Sequence, residues 1–173
     1  MENYTYSPLD RWVWSKATSQ DVPEIVDLSY THYKDEFENI IFKSNMTKMH
    51  YHLHQACLDQ IYGLGNNLIL IARNKDTNKL MAWNWIQTGK KTIYSDDEMA
   101  IAEFIHVDLT LPKRDKIALV HQSLEQWIVW CTANRIPVIC STSIRPVQSG
   151  FMKIHERLGF FVRGSYAYKR IEL

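Results

Sequence analysis

One carboxylate interrupts an apolar segment of this sequence, at a position where it could take up a proton. Glu103 lies within the apolar run Ala100–Leu109. If this run forms a regular strand, alternation places Glu103 on the same face as Ile101, Ile105 and Val107. A carboxylate on an apolar face is expected to have a raised pKa, which suits a general base near neutral pH. The alternative for Glu103 is a structural ion pair, for example with an arginine.

Two histidines could also exchange protons with a substrate. His106 lies in the same run as Glu103, on the opposite face together with Asp108, and is a second candidate for a base. His155 falls in a short segment of helical period near the carboxyl end. An imidazole can donate a proton near neutral pH. The alternative for His155 is a histidine on the helix surface.

A third cluster of histidines reads His50-Tyr51-His52-Leu53-His54. On a helix, His50 and His54 share a face at the spacing used in zinc sites. No glutamate follows His50, so the metalloprotease motif is absent. We therefore predict no metal site, and expect a polar helix face that lines a substrate cleft.

Hydrophobic periodicity and turn residues predict the elements that must position these side chains. Helices are predicted from an N-cap at Ser19 to about Phe37, over Asn45–Tyr62 and Arg114–Asn134, and around Phe151, Ile154 and Leu158. Strands are predicted at Trp12–Trp14, Leu68–Arg73, Met81–Gln87, Ala100–Leu109, Pro137–Cys140, Phe160–Val162 and Tyr166–Tyr168. Residues Lys90–Glu98 are predicted to form a charged loop. The order is βααβββαβαββ, and the helix between Ala100 and Cys140 implies a parallel crossover.

The carboxyl-terminal stretch carries a local signature. A strand, a loop and a short helix are followed by Glu156-Arg157-Leu158-Gly159-Phe160, in which Gly159 ends the helix in a left-handed conformation. This order resembles the last part of the GNAT acyltransferase superfamily, where the final helix commonly ends in a similar Gly-Phe signature. The strand near the start, followed by Ala17-Thr18 and Asp21-Val22-Pro23-Glu24-Ile25, resembles the start of the same family.

The resemblance implies an α/β fold, with a central mixed, twisted sheet that has helices on both faces and splays between the fourth and fifth strands. It also implies transfer of an acetyl or other acyl group from acyl-CoA to a small-molecule or protein amine. Glu103 would be the base, and His155 would be the acid at the position usually held by tyrosine. Acetyl-CoA would be held by Ile105, Val107, Lys113, Arg114, Lys116, Ile117, Ala118 and Gln148, with the amides of Lys116 to Ala118 facing the diphosphate.

Acceptor contacts are expected between Tyr33 and His54, with Asp35, Glu36 and Glu38 as acidic candidates for a basic acceptor. Trp83 and Trp85 alternate on one strand face, where they could stack on an acceptor or on a nucleic-acid base. Core packing is the reading that we favour for both tryptophans, because no basic field surrounds them.

The sequence departs from the family at the donor loop. The usual glycine-rich loop is replaced by Leu111-Pro112-Lys113-Arg114-Asp115-Lys116, and no glycine occurs between Gly89 and Gly150. Lys113, Arg114 and Lys116 could compensate with charge, whereas Asp115 would repel a diphosphate. The rival hypothesis is therefore an inactive binding or structural protein of this fold, such as a phage virion-associated protein, that has lost the loop.

Composition excludes several classes of function. The chain has 173 residues and a formal net charge of +1, so no strong field favours nucleic acid or an anionic membrane. We predict one domain over residues 1–173, with residues 1–10 as an arm. Three cysteines and no secretion signal at the start predict reduced thiols in the cytoplasm. A homodimer or a protein partner is compatible with the sequence.

Overall fold

The computed structural model describes residues 11–36, 43–63, 66–143 and 148–164. Five strands are present in these ranges: β1 Trp12–Lys16, β2 Asn67–Asn74, β3 Leu80–Thr92, β4 Ser95–Val107 and β5 Val138–Cys140. The helices there are α1 Val22–Glu36, α2 Met46–Tyr62, α3 Lys113–Ala133 and α4 Ser149–Arg157. Their chain order, βααβββαβα, confirms the predicted order up to the last helix. Every helix in these ranges is too short or too polar to cross a membrane.

The strands form one sheet in the order β1-β2-β3-β4-β5. All neighbours are antiparallel except β4 and β5, which are parallel, as the crossover through α3 requires. Pairing between β4 and β5 ends where Ile101 faces Cys140. β4 continues to Val107, whereas β5 stops at Cys140, so the edge of β4 beyond Ile101 has no partner in β5. The predicted splay between the two strands stays a prediction.

Helices cover both faces of the sheet, because β2 is apolar on both sides. Ile69 and Ile71 pack with residues of α1 and α2 in one core cluster. Leu68 and Leu70 pack with residues of α3 and α4 in another cluster. A strand that is buried on both faces typically has a continuous apolar run, like Leu68 to Ala72 here, instead of strict alternation. The predicted α/β class, with helices on both faces of a mixed sheet, is confirmed.

Local capping chemistry sets the ends of two helices. The side chain of Asn45 accepts a hydrogen bond from the amide of Lys48 at 2.9 Å and begins α2. At the end of α4 the amides of Gly159 and Phe160 donate to the carbonyls of Glu156 and His155. These two hydrogen bonds, together with the φ of +85° at Gly159, form a Schellman motif. The predicted role of Gly159 is thus confirmed.

The predicted N-cap at Ser19 is wrong. α1 begins at Val22, and the carbonyl of Asp21 accepts the first helical hydrogen bond, from the amide of Ile25 at 3.0 Å. The Asp21 carboxylate instead accepts from the amide and the hydroxyl of Thr18, both at 2.8 Å. The Ser19 hydroxyl has no hydrogen-bond partner among the described residues.

Two further predictions are wrong because strand pairing decides the outcome. The expected loop Lys90–Glu98 is mostly strand, since β3 and β4 continue pairing until Thr92 faces Ser95. The expected strand Phe160–Val162 is not a strand, because it makes no ladder with any described strand. The predicted arm 1–10 and the predicted strand Tyr166–Tyr168 lie outside the described residues.

Candidate active site

A β-bulge at Glu103 changes which face of β4 this side chain occupies. Trp85 of β3 faces Phe104, and the next residue, Ile86, faces Ala102. Glu103 is therefore an extra residue in β4 without an opposite partner. The predicted sharing of a face between Glu103 and Ile105 is wrong, because the bulge interrupts the alternation on which that prediction depended.

The bulge keeps the apolar residues of β4 on the α3 side. Ala100 and Ala102 before the bulge, and Ile105 and Val107 after it, pack in the core clusters beneath α3. The Glu103 side chain lies on the opposite side of the sheet, where α1 and α2 pack. Its side chain is exposed there, so the predicted burial on an apolar face is not found.

Glu103 opens into a cavity of about 490 Å³ between the sheet and the start of α2. The sheet contributes Trp83, Trp85, Gln87, Glu103 and Phe104 to its lining. The helical side contributes Tyr33, Lys43, Met46, Lys48, Met49 and His52. Described residues of the expected acceptor region Tyr33–His54 therefore line a cavity beside the candidate base. The side chains of Asp35 and Glu36, and all of Glu38, lie outside the described structure.

The aromatic floor of this cavity is fixed by hydrogen bonds. The indole of Trp83 is fully buried, donates to the Ser29 hydroxyl at 2.8 Å, and stacks on Phe104 with ring centroids 5.1 Å apart. The indole of Trp85 donates to the side-chain oxygen of Asn67 at 2.9 Å. The preferred prediction of core packing is confirmed for Trp83. Trp85 is only half-buried and presents part of its ring to the cavity.

The Glu103 carboxylate makes no hydrogen bond or ion pair with the described residues. The alternative prediction, a structural ion pair with arginine, therefore has no partner in this part of the chain. A carboxylate is an acceptor-only group, and its oxygens here are available to an amine in the cavity.

His106 also lies on the α1 side of the sheet, because the bulge precedes it. The prediction that it faces away from Glu103 is therefore wrong. His106 is buried, and its Nε2 lies 2.8 Å from Nδ1 of His32 on α1. The two rings are 4.9 Å apart at their centroids. This contact joins α1 to β4 and uses one of the two ring nitrogens of His106.

His155 is a buried residue rather than a surface one, with 2% of its side chain exposed. Its Nδ1 lies 3.0 Å from the carbonyl oxygen of Phe151, and its Nε2 lies 2.8 Å from the Ser141 hydroxyl. A carbonyl can only accept, so Nδ1 carries the proton and Nε2 accepts from Ser141. The alternative of a histidine on the helix surface is wrong.

Burial lowers the pKa of His155, although the hydrogen bond to Phe151 opposes this shift. The neutral ring is therefore favoured at neutral pH, and it holds no proton on Nε2. A role as acid would require the imidazolium form, which burial disfavours. Ser141, at the end of β5, was missed in the sequence because nothing local marks it as a histidine partner.

The amino end of α3 follows the carboxyl end of β4 in the chain. Pro112 occupies the N-cap position without a side-chain cap, and its carbonyl accepts from the amides of Asp115 and Lys116 at 3.0 and 3.1 Å. The amide of Lys116 is thus already bonded, contrary to the prediction that it faces a diphosphate. The amides of Lys113 and Arg114 precede these bonds in the first turn.

Charges around this helix start differ from expectation in one respect. Asp115 is buried and forms an ion pair with Arg11, so its predicted repulsion of a diphosphate is offset. The side chains of Lys113 and Arg114 are exposed. Lys116 donates through Nζ to the carbonyl of Leu109 at 3.0 Å, which uses part of its hydrogen-bonding capacity.

The other predicted donor residues divide between the core and the surface. Ile105 and Ile117 are half-buried, and Val107 and Ala118 are buried, all packed between β4 and α3. Gln148 is exposed immediately before α4 and makes no side-chain cap bond. The structure therefore leaves Lys113 and Arg114 exposed at the start of α3, but keeps the side chain of Ala118 in the core.

The histidine cluster on α2 is mostly exposed. The rings of His50 and His54 are stacked with centroids 6.4 Å apart. Across residues 11–36, 43–63, 66–143 and 148–164, no group of three or more His, Cys, Asp or Glu side chains could hold a metal ion. His52 lines the cavity, in agreement with the expected polar face of a substrate cleft.

Solved structures show the same arrangement of strands and helices. An aminoglycoside 6′-N-acetyltransferase from Acinetobacter baumannii is 14% identical, with a TM-score of 0.66 over 94% of this chain and 99% of that chain. A protein from Clostridium acetobutylicum, described as a predicted acetyltransferase and solved with acetyl-CoA, is 12% identical, with a TM-score of 0.68 over 92% and 96%. The chain has the GNAT acyltransferase fold. The resemblance found in the sequence is confirmed at the level of the fold.

A third structure with the GNAT fold holds a molecule that joins both substrates. It is an aminoglycoside 6′-N-acetyltransferase in complex with a bisubstrate analogue, CoA-S-monomethyl-acetylneamine; it is 13% identical, with a TM-score of 0.64 over 94% of this chain and 99% of that chain. No protein-family model matches this sequence, and no curated protein does. The GNAT fold is therefore shown by three-dimensional similarity alone.

Proposed function

We propose that this protein transfers an acyl group from acyl-CoA to an amine that binds in the cavity beside Glu103. The observation that carries the proposal is the bulge in β4. It places a carboxylate that has no partner among the described residues in a cavity, on the strand whose edge continues past the end of β5. Neighbours of the same fold that hold acetyl-CoA or a CoA conjugate support the proposal.

We infer that the donor molecule lies along the edge of β4 beyond its pairing with β5. This edge makes no ladder with β5 after the pair Ile101 and Cys140, and unpaired edges readily accept an extended chain. After β4 ends, the first turn of α3 offers the amides of Lys113 and Arg114 and their two positive side chains. A helix start with nearby cations favours phosphate groups even without glycine.

Acyl-CoA supplies the acyl group as a reactive thioester. Glu103 binds the acceptor through its amine and takes the proton that the amine loses on attack, directly or through one water molecule. Trp83 and Phe104 hold the floor beside Glu103, so the acceptor is oriented by a rigid surface.

His155 has a positioning role in this proposal instead of the role of acid that the resemblance implied. Its neutral ring fixes the Ser141 hydroxyl at the end of β5, where the pairing of β5 with β4 ends. A thiol has an ordinary pKa near 8.5, so a departing thiolate needs little help from an acid near neutral pH. The role of acid stays a prediction that turnover of His155 variants would test.

The first experiment asks whether acetyl-CoA binds. A ligand at about 100 times its Kd stabilises the folded state by about 2.7 kcal/mol, which raises the Tm of a domain of this size by roughly 5 to 10 °C. We expect this rise for the wild type, and a smaller one for a variant with Lys113→Glu and Arg114→Glu. A variant with Lys90→Glu and Lys91→Glu, on the exposed end of β3, is the matched control.

A flat melting temperature for the wild type over a full acetyl-CoA titration would contradict the proposal. That result would favour the rival hypothesis, a binding or structural protein of the same fold. If both double variants showed the same rise in Tm as the wild type, acetyl-CoA would still bind, but the start of α3 would not be its phosphate site.

A further inference from the structure

The cavity beside Glu103 has charges of opposite sign on opposite walls. Glu103 lies on the sheet, Lys43 lies just before α2, and Lys48 lies in the first turn of α2. All three side chains are exposed, and none makes an ion pair or a side-chain hydrogen bond with the described residues. Their charges are therefore not neutralised by this part of the chain, and each can meet a charge on a ligand.

The rest of the cavity lining is mainly apolar. Trp85 and Phe104 present aromatic rings from the sheet, and Met46 and Met49 face them from α2. Aromatic side chains favour stacking with planar groups, and methionine side chains adapt their shape to such groups. The hydrogen bond from Trp85 to Asn67 fixes one ring in place before any ligand binds.

We propose that the acceptor is a primary amine on an aromatic body that also carries an anionic group, such as a carboxylate or a phosphate. This inference rests on the proposed acyl transfer. The amine lies against Glu103, the aromatic body stacks on Trp85 and Phe104, and the anionic group lies against Lys43 and Lys48.

The same charges disfavour acceptors with several positive groups. A polycationic amine can place one ammonium group at Glu103, but its other ammonium groups meet Lys43 and Lys48 without a compensating carboxylate in the described lining. Like charges that are brought together in this way lower affinity. The acceptor class therefore differs from the aminoglycosides named for two structures of the same fold.

Three amines test this inference against the protein saturated with CoA. The probes are 4-(aminomethyl)benzoate, benzylamine, which lacks only the carboxylate, and neamine, which is polycationic. Binding is measured by titration calorimetry, and transfer is measured by thiol release from acetyl-CoA. The carboxylate can form one exposed ion pair with Lys43 and one with Lys48. These two ion pairs predict roughly three- to tenfold tighter binding of the benzoate than of benzylamine at low salt. This ratio should shrink at high salt.

Variants assign the preference to the two lysines. Lys43→Ala with Lys48→Ala should bring the ratio of the two aromatic probes close to one, whereas Lys90→Ala with Lys91→Ala should leave it unchanged. Trp85→Ala should weaken both aromatic probes by a similar factor of roughly two to ten, because it removes stacking and no charge.

Tighter binding of neamine than of 4-(aminomethyl)benzoate would overturn the inference. A benzoate preference that survives loss of both lysines would overturn it as well. Neither result would affect acetyl-CoA binding, which is measured separately by the Tm. Absence of any Tm rise with acetyl-CoA would instead refute the proposed function, so the two failures are distinguishable.

Discussion

The bulge of β4 and the buried side of α4 each carry one polar residue that could move a proton. Glu103 on the bulge is exposed and has no partner in the described structure. His155 on α4 is buried and uses both ring nitrogens in hydrogen bonds to Phe151 and Ser141. A polar group whose bonds are all made within the protein stabilises the fold, whereas a group without partners is free for a ligand.

The largest expected effect is on turnover, at the bulge. Glu103→Gln keeps the size of the side chain but removes its capacity to take a proton. We expect kcat for amine acylation to fall by about 10²- to 10⁴-fold, the usual contribution of a general base. Acetyl-CoA binding, measured by the rise in Tm, should stay as in the wild type. Thiol release at saturating acetyl-CoA measures the rate.

Asp97→Asn supplies the control for this variant. Asp97 is an exposed carboxylate at the start of β4, outside the cavity lining. Its loss should change neither kcat nor stability by a measurable amount. If Glu103→Gln turned over as fast as Asp97→Asn, Glu103 would take no part in the mechanism.

The next effect is on stability, at α4. His155→Ala removes two hydrogen bonds and leaves a cavity under the helix. The free energy of unfolding should fall by about 2 to 4 kcal/mol, because buried volume and buried hydrogen bonds are lost together. Urea unfolding with an unchanged m value gives this difference. Glu156→Ala, at the exposed neighbouring position, should change stability by less than about 0.5 kcal/mol.

A reversed result would break the comparison. If His155→Ala unfolded like the wild type while its kcat dropped as far as that of Glu103→Gln, His155 would act in the chemistry. The role of acid implied by the family resemblance would then be restored.

Sequence patterns predicted the elements whose signals are local. The start of the second helix near Asn45, the left-handed Gly159 and the helical period of α3 each depend on residues within a few positions. The order of elements followed from these signals, and with it the mixed sheet.

The environments of the two candidate residues could not be predicted, because they depend on remote partners. The bulge at Glu103 is a property of the register with β3, and nothing near Glu103 in the sequence marks an extra residue. The burial of His155 depends on the end of β5, which supplies Ser141. Alternation therefore predicted the wrong face for Glu103. The helical period alone could not decide whether His155 is buried or lies on the helix surface.

A smaller effect is expected from pH, and it has a definite sign. Burial lowers the pKa of His155 in the folded state, so the unfolded chain binds its proton more readily. The stabilisation is fully present above the unfolded pKa of about 6.5, and is lost as the pH falls through the lower folded value. The Tm of the wild type should therefore fall more steeply below pH 6.5 than that of His155→Gln.

Asp108 sets a second and separate pH window. Burial raises the pKa of its carboxyl group, but hydrogen bonds from Lys79 and Thr110 outweigh this and lower the pKa to about 2. The resulting stability is lost only between about pH 4 and pH 2. Asp108 therefore adds little slope between pH 6.5 and pH 5. Parallel curves for wild type and His155→Gln in that range would show that His155 does not couple to folding.

The smallest effect is expected at Ser141. Ser141→Ala leaves Nε2 of His155 without its hydrogen-bond donor, which should lower the free energy of unfolding by about 1 kcal/mol. In a His155→Gln background, Ser141→Ala should change the free energy of unfolding by a measurably different amount. The reason is that the two side chains share one hydrogen bond and are not independent. Ser149→Ala, at the exposed first position of α4, should give the same small value in both backgrounds. Additive effects of Ser141→Ala and His155→Gln would mean that the hydroxyl and the ring do not interact, and the end of β5 would then be positioned by packing alone.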